Sequence, residues 1–470
     1  MERIKKKSDS RSDLTQGAIL PKVIWFVIPL ILTGVLSLLF NTADTIVVGR
    51  WGGDTPEECE NALAAVGSCG ALINLLINLF LGLSMGAGVC VAHDIGAKHY
   101  EDAKKTVHTA VTLSLICGIL SSILGLFAAR PLLVMMGTDA SVLDQAAAYM
   151  RAIFIGIPAT MVYHFCAALY RSNGDTLRPL IFLSTGGVLN VLLNLFTVLV
   201  LRLGAVGVGI ATAASNYVAC FLIVGHMLKT DGICHLELRK LGIDRAKLSR
   251  ILFIGIPAGI SSSLFSVSNV LIQSSINSFG KVIVAGNTAS GNLEGYVYTA
   301  QNAVSGAAMT FVSQNVGAKN FSRVKKSIWV CTLVNIAVGL GLGSLMTIFG
   351  TQLISLYAPD NVAVITAGMR RLPYICLPYF ICGLMEIGSS SMRGLGKSIL
   401  PTVVSLLGSC VFRVIWIYTV FAYATGIGSP YALEILYISY PISWLITAAV
   451  HYICTFTVLK KRKDEISLTN

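Results

Sequence analysis

Residues 23–49 make a long, mostly apolar stretch whose one charged residue is Asp44, and eleven further apolar segments follow it. Their approximate limits are 62–92, 107–129, 146–170, 179–201, 205–228, 251–280, 282–316, 327–350, 362–392, 399–423 and 431–459. A helix of about 20 residues crosses a hydrocarbon core of roughly 30 Å. In that solvent every backbone polar group must be satisfied within the segment, so segments of this kind can only be helices. Hydrophobic residues make up 54% of the chain and charged ones only 12%, and the mean hydropathy is +0.74. This excludes a soluble globular protein and predicts an all-α polytopic membrane protein with 12 transmembrane helices. The 12 cysteines lie almost all in apolar segments, without a CxxC pair. They read as small buried hydrophobes, not as disulfides or metal ligands. The start of the chain reads as a basic tail, not a cleavable signal peptide.

The net charge of +12 could suggest nucleic acid, but the placement of the bases argues against it. Arg3, Lys5, Lys6, Lys7, Arg11 and Lys22 precede the first segment, whereas the next loop sets Asp54, Glu57, Glu58 and Glu60 against Arg50. Lys98, Lys104, Lys105, Arg171, Arg178, residues 229–250 and 319–326, Arg393, Lys397 and the run 460–463 all fall on the first side. Basic loops stay in the cytoplasm, so both termini are expected there. A multi-pass protein of a bacterial-type cell membrane follows, with no nucleic-acid partner.

The chain also repeats itself. Ile95-Gly-Ala-Lys98 returns as Val316-Gly-Ala-Lys319, Leu169-Tyr-Arg-Ser-Asn-Gly174 as Ser391-Met-Arg-Gly-Leu-Gly396, and Ile28-Pro29 as Ile256-Pro257. The expected domains are a cytoplasmic tail (1–22), a six-helix lobe (23–228), a cytoplasmic linker (229–250), a second six-helix lobe (251–459) and a tail (460–470). Six is even, so the repeats run parallel, N-lobe and C-lobe, around a central cavity. That architecture suits alternating access. Pro29, Pro158, Pro257, Pro378 and Pro441 should kink their helices.

Only Asp44, Glu294 and Glu386 lie well inside the spans, where an ionised acid costs about 2.5–3.5 kcal/mol on insertion scales. Thr33, Ser37, Asn41 and Asp44 share one helix face. The stripe reads as an ion or proton site, or as a carboxylate near the membrane edge that caps or pairs. In the fifth segment Gly187, Asn190, Asn194 and Thr197 share a face, and the sixth offers Thr212, Ser215 and Asn216. One carboxylate, two amide oxygens and a hydroxyl suit a hard cation such as Na+ at Asp44, Asn190, Asn194 and Thr212. The bland alternative is interhelical hydrogen bonding. In the second half, Ser262, Ser266, Asn269, Gln273 and Asn277 form a stripe. Glu294, Tyr298, Gln301 and Ser305 form another, and Tyr379, Gly383, Glu386, Ser390 and Arg393 a third. Carboxylates and tyrosine rings suit an amphipathic cation. The rival is an ion pair, for instance Glu386 with Arg413. His164 and His451 read as packing or hydrogen-bonding residues, and Arg171 and Arg393 as anchors.

The chain resembles the multidrug and toxic compound extrusion (MATE) family of cation-coupled antiporters. The resemblance rests on the proline-containing first helix ending Ala43-Asp-Thr-Ile-Val-Val-Gly49, and on Leu63-Ala-Ala-Val-Gly67. Gly86-Ala-Gly-Val-Cys-Val-Ala-His-Asp-Ile-Gly-Ala97, Tyr170-Arg-Ser-Asn-Gly-Asp-Thr176 and Gln314-Asn-Val-Gly-Ala318 complete it. It covers nearly the whole chain. It implies two lobes with a V-shaped cavity and export of amphipathic, often cationic compounds in exchange for H+ or Na+. Asp44 and Asn190 match the family's cation site in the first lobe, Thr212 fits a matching hydroxyl, and many relatives carry Asp where this chain has Asn194. A site with one carboxylate lacks the like-charge repulsion that raises a carboxyl pKa, which leaves sodium or mixed coupling open.

The expected protein is therefore not an enzyme. It needs no cofactor beyond its coupling ion and no ATP, for no Gly-x-x-x-x-Gly-Lys-[Ser/Thr] loop is present. It works as a monomer on small molecules in a lipid bilayer. An exporter of lipid-linked sugars is the alternative, disfavoured by the few basic residues in the spans (Arg151, Arg413). A channel lacks a filter signature, and an embedded enzyme lacks an HExxH or nucleophile motif.

Overall fold

The computed structural model describes residues 13–359 and 361–469. The basic residues from Arg3 to Arg11 lie outside the described residues. The chain folds into α1 (Ile19–Trp51), α2 (Pro56–Gly96), α3 (Tyr100–Met135), α4 (Ala140–Ser172), α5 (Leu177–Val200), α6 (Gly204–Lys229), α7 (Arg245–Asn277), α8 (Lys281–Gly317) and α9 (Phe321–Ile348). Then come the short α10 (Gly350–Ser355), α11 (Val362–Ile375), α12 (Tyr379–Gly394), α13 (Ile399–Gly426) and α14 (Ala432–Thr469). Among the described residues there is no strand.

Ten of these helices are long and apolar enough to cross a membrane, and α11 with α12 forms an eleventh span bent by 47°. The break follows Ile375 and takes in Pro378, whereas α1, α4, α7 and α14 run on through Pro29, Pro158, Pro257 and Pro441. The helix α8, at 37 residues, is long enough but too polar to qualify by composition. Its polar groups Asn287, Ser290, Gln301 and Ser305 are buried against protein instead. With α8 the spans number twelve. Large apolar side chains such as Trp25, Phe127, Met135 and Phe221 are exposed, as lipid-facing helices require.

The repeats prove to be helix ends. Lys98 and Lys319, at matching positions, both take the left-handed conformation (φ 59° and 56°). His99 N–H then reaches Asp94 O and Asn320 N–H reaches Asn315 O, each at 2.9 Å. These wrap-around bonds satisfy carbonyls that the last turn leaves open. Gly174 and Gly396 repeat the device after α4 and α12 with φ of +83° and +76°. Both halves also relax into π-turns late in their fifth span, at Phe196–Val200 and Ile417–Phe421.

Two compact units result. One comprises Leu32–Ile95 with His99–Gly255. The other comprises the chain through Ile31, Gly96–Lys98 and Ile256–Asn470. The boundaries fall inside α1 and α7, so the lead-in of each half's first helix belongs to the opposite unit. In the first-half unit glycines permit backbone-close packing. A Cβ on Gly86 would lie 2.4 Å from Ile251 O, and one on Gly118 2.7 Å from Pro158 Cα. In the second-half unit a core built on Phe311, Val312, Ile328 and Ile387 also takes in Val23, Phe26 and Val27 of α1.

Candidate cation and substrate sites

Asp44 sits on α1 facing α5. The two helices approach closely because residue 187 is glycine. A Cβ there would stand 1.8 Å from the Phe40 ring, so any other side chain would force that ring, or α1 with it, aside. Asn194 and Asn190 are one helical turn apart on α5, and both are buried. Asn194 donates through Nδ2 to Asp44 Oδ1 and, at 3.2 Å, to Asn190 Oδ1. Asn190 Nδ2 donates to Thr212 Oγ1 at 3.3 Å, and Thr212 Oγ1 stands 3.5 Å from Asp44 Oδ2. Among the described residues Asn194 Oδ1 is buried with no partner. Four side chains from three helices thus converge, and they offer five oxygens around a single negative charge.

The structure does not bring the rest of the expected set into this cluster. Asn41 shares the helix face, but it is exposed, and among the described residues its side chain makes no hydrogen bond, while its carbonyl accepts from Thr45 Oγ1 at 3.0 Å. Asn216 turns to Thr160 Oγ1 at 3.0 Å, and Ser215 bonds back to Thr212 O at 2.9 Å. Thr197 ties α5 to α6 through Gly207 O at 3.0 Å.

In the second-half unit the expected substrate residues divide into two groups. Gln273 donates to Asn277 Oδ1 at 2.9 Å and accepts from Asn287 Nδ2 at 3.2 Å. Arg371 on α11 donates to Asn287 O at 2.8 Å and to Glu294 Oε2 at 2.5 Å. Glu294 is therefore half of an ion pair whose base, Arg371, is buried. Arg371 was missed in the sequence because it adjoins Arg370 and reads as the basic edge of a span. Its one signal was position, two residues before Pro373 within the 362–392 segment.

Glu386 on α12 is half-buried and has no ion pair or hydrogen bond among the described residues. The suggested pair with Arg413 does not form. Arg413 instead donates to Ser443 Oγ at 3.0 Å, its guanidinium lies 4.3 Å over the Tyr440 ring, and its Nη2 has no partner among the described residues. Tyr298 is 42% exposed although it lies midway along α8. Gln301, by contrast, is buried with neither amide atom paired among the described residues. A Cβ on Gly383 would lie 2.4 Å from Gln301 Oε1 and 2.0 Å from Asn335 Nδ2, so only glycine leaves room for the two amides. Tyr379 is buried with its ring 5.0 Å from that of Trp444, so it packs instead of lining a free surface. His451 is held by Met385 O at 3.0 Å and Pro401 O at 3.3 Å, the structural role expected of it.

A twelve-span helical transporter built on a repeated half is the class these features define. The MatE family signature matches residues 29–196 and again 257–419, one match per half. The chain belongs to the MATE family of membrane transporters. It is 30% identical to a probable multidrug resistance protein, YoeA, of Bacillus subtilis (strain 168), over 81% of this chain and 82% of the relative. A Shewanella oneidensis protein named FAD transporter is 25% identical over 80% of this chain and 82% of its own length. A MATE family transporter solved in an outward-facing conformation superposes with a TM-score of 0.87 at 22% identity, covering 96% of this chain and 98% of its own. That likeness fixes the fold.

Proposed function

We propose that the protein exports amphipathic, often cationic small molecules in exchange for H+ or Na+ by alternating access. Asp44, Asn190, Asn194 and Thr212 hold the coupling cation. The observation that carries this reading is the convergence of those four side chains on one intramembrane carboxylate. A half-buried carboxylate within a span persists only where something uses or compensates it, and the partners are neutral oxygens and amides, not a base. Glu386, with Tyr298 beside it in the second-half unit, is the acid left free to meet a cationic substrate, because Arg371 neutralises Glu294. No ATP or organic cofactor takes part. The protein acts as a monomer with both termini in the cytoplasm. The relatives named for multidrug resistance support the substrate class.

A second reading, export of an anionic aromatic metabolite, is favoured by the partnerless Nη2 of Arg413 over Tyr440 and by the relative named for FAD transport. Purified protein in liposomes separates the two. A proton or a sodium gradient is imposed separately, and uptake of ethidium and of a fluorescent flavin nucleotide is followed in wild type and Asp44→Asn. Gradient-driven ethidium transport, lost in the variant, is expected. Flavin transport without ethidium transport would favour the second reading. Full transport by Asp44→Asn would refute the role of the carboxylate.

A further inference from the structure

The two halves clamp their lead-in segments at equivalent positions with opposite chemistry. Repeat alignment pairs Asp94 with Asn315 and Asp102 with Arg323. In the first-half unit the clamp is ionic. Buried Asp94 receives Lys247 Nζ at 3.0 Å and Arg250 Nη1 at 3.3 Å from the start of α7, and Lys247 also lies 3.5 Å from Asp102. In the second-half unit the clamp reads backbone. Arg323 donates through Nε to Leu14 O at 3.1 Å, through Nη2 to Gln16 O at 2.8 Å and through Nη1 to Gly17 O at 2.7 Å. Gln314 Oε1 accepts Leu14 N–H at 3.2 Å, and Asn315 Nδ2 donates to Leu14 O at 3.3 Å. The Leu14 side chain is fully buried among Phe311, Val312 and Val324. One guanidinium thus takes three carbonyls, and one leucine fills the socket.

The held segment runs directly into α1. That helix passes Pro29, changes unit between Ile31 and Leu32, and then carries Asp44. Proline removes one intrahelical bond and weakens the helix at that point. A helix fixed at its start and weakened in its middle can bend only about the weak point.

We propose that Arg323, with Gln314 and Asn315, is a positioning clamp that fixes the start of α1 and, through the Pro29 bend point, sets where Asp44 stands against Asn190 and Asn194. The inference rests on the Asp44 cluster being the cation site. Arg323 touches neither substrate nor cation. It acts through the helix. Three bonds from one charged donor are strong individually, and their loss frees the segment without leaving a buried charge behind, because Arg323 is only partly buried.

The test compares wild type, Arg323→Gln, Arg323→Lys and Leu14→Ala, each reconstituted as the full chain. Amide hydrogen exchange is read over residues 13–18 and 39–51, and ethidium export driven by an ion gradient is measured alongside. Arg323→Gln and Leu14→Ala should speed exchange at 13–18 by about tenfold or more. They should also raise exchange at 39–51 and lower the maximal rate of coupled export about fivefold, with ethidium Kd within about twofold. Arg323→Lys, which keeps the charge but not the planar fork, should fall between. A freed segment with unchanged exchange at 39–51 and unchanged export overturns the proposal, as does a segment that stays protected in Arg323→Gln. If wild type shows no gradient-driven export, the cation-site reading fails. Exchange at 39–51 then decides the clamp alone, and no rise there refutes it.

Discussion

At the repeat position of Asp44 the second half carries Ile272, and at those of Asn190 and Asn194 it carries Phe412 and Trp416. Backbone and π-turn are repeated, and the site is not. Ile272 is buried in an apolar core with Tyr437 and Tyr440, and Trp416 packs against that core. The second half keeps its charges elsewhere, on α8, α11 and α12, where Glu294 pairs with Arg371 while Glu386 makes no ion pair among the described residues. Duplication of a helical frame therefore does not duplicate function. The first half specialises in one compact oxygen site. The second buries Arg371, Arg393 and Arg413 beside Glu294 and Glu386, so that bases outnumber acids.

The comparison can be broken in several ways. The largest effect is expected from Asp44→Asn, which should lower coupled export by about 100-fold or more while the protein still inserts, since intramembrane acids are functional rather than structural. If the halves had kept equivalent sites, Ile272→Asp in that background would restore export. It should not. Next comes the Glu294–Arg371 pair. Glu294→Gln should leave Arg371 uncompensated and cost about 3–5 kcal/mol, read as a fall in melting temperature in detergent. Glu294→Met with Arg371→Met should recover most of that loss. Gly187→Ala should cost about 1–3 kcal/mol by forcing Phe40 aside, with a loss of apparent cation affinity that matches the displacement of α1. Asn194→Leu, which keeps the branched shape and removes the amide, should weaken apparent cation affinity about tenfold. The smallest effect belongs to the exposed pair Arg130–Asp144. Arg130→Ala should leave the melting temperature unchanged, as surface pairs contribute little.

Much of the frame could be read from residues alone, because twelve apolar segments in a bilayer admit few alternatives. Asp44, Asn190, Asn194 and Thr212 were also legible. Helical spacing puts each on one face, and polar groups in a span must find one another. Spacing could not exclude Asn41, since a face is wider than a site. Nor could it show that Tyr379 packs against Trp444, because an aromatic at helical spacing serves core and cavity equally. Arg371 escaped because a base near the end of an apolar run usually marks the membrane edge. In the fold that end of α11 turns inward toward Asn287. The clamp on Leu14 was out of reach. It joins residues some 300 apart, and its partners are backbone carbonyls that no side-chain pattern reports.

The central claim is that one cation site exists and lies in the first half. Binding of radioactive sodium at fixed pH, paired with proton release on adding ethidium, should be measured on purified wild type, Asp44→Asn and Glu386→Gln. The account predicts that ethidium displaces Na+ or H+ from wild type and, at higher ethidium concentration because a substrate carboxylate is lost, from Glu386→Gln, and displaces neither from Asp44→Asn. Displacement that survives in Asp44→Asn, or vanishes in Glu386→Gln while ethidium still binds, would contradict it.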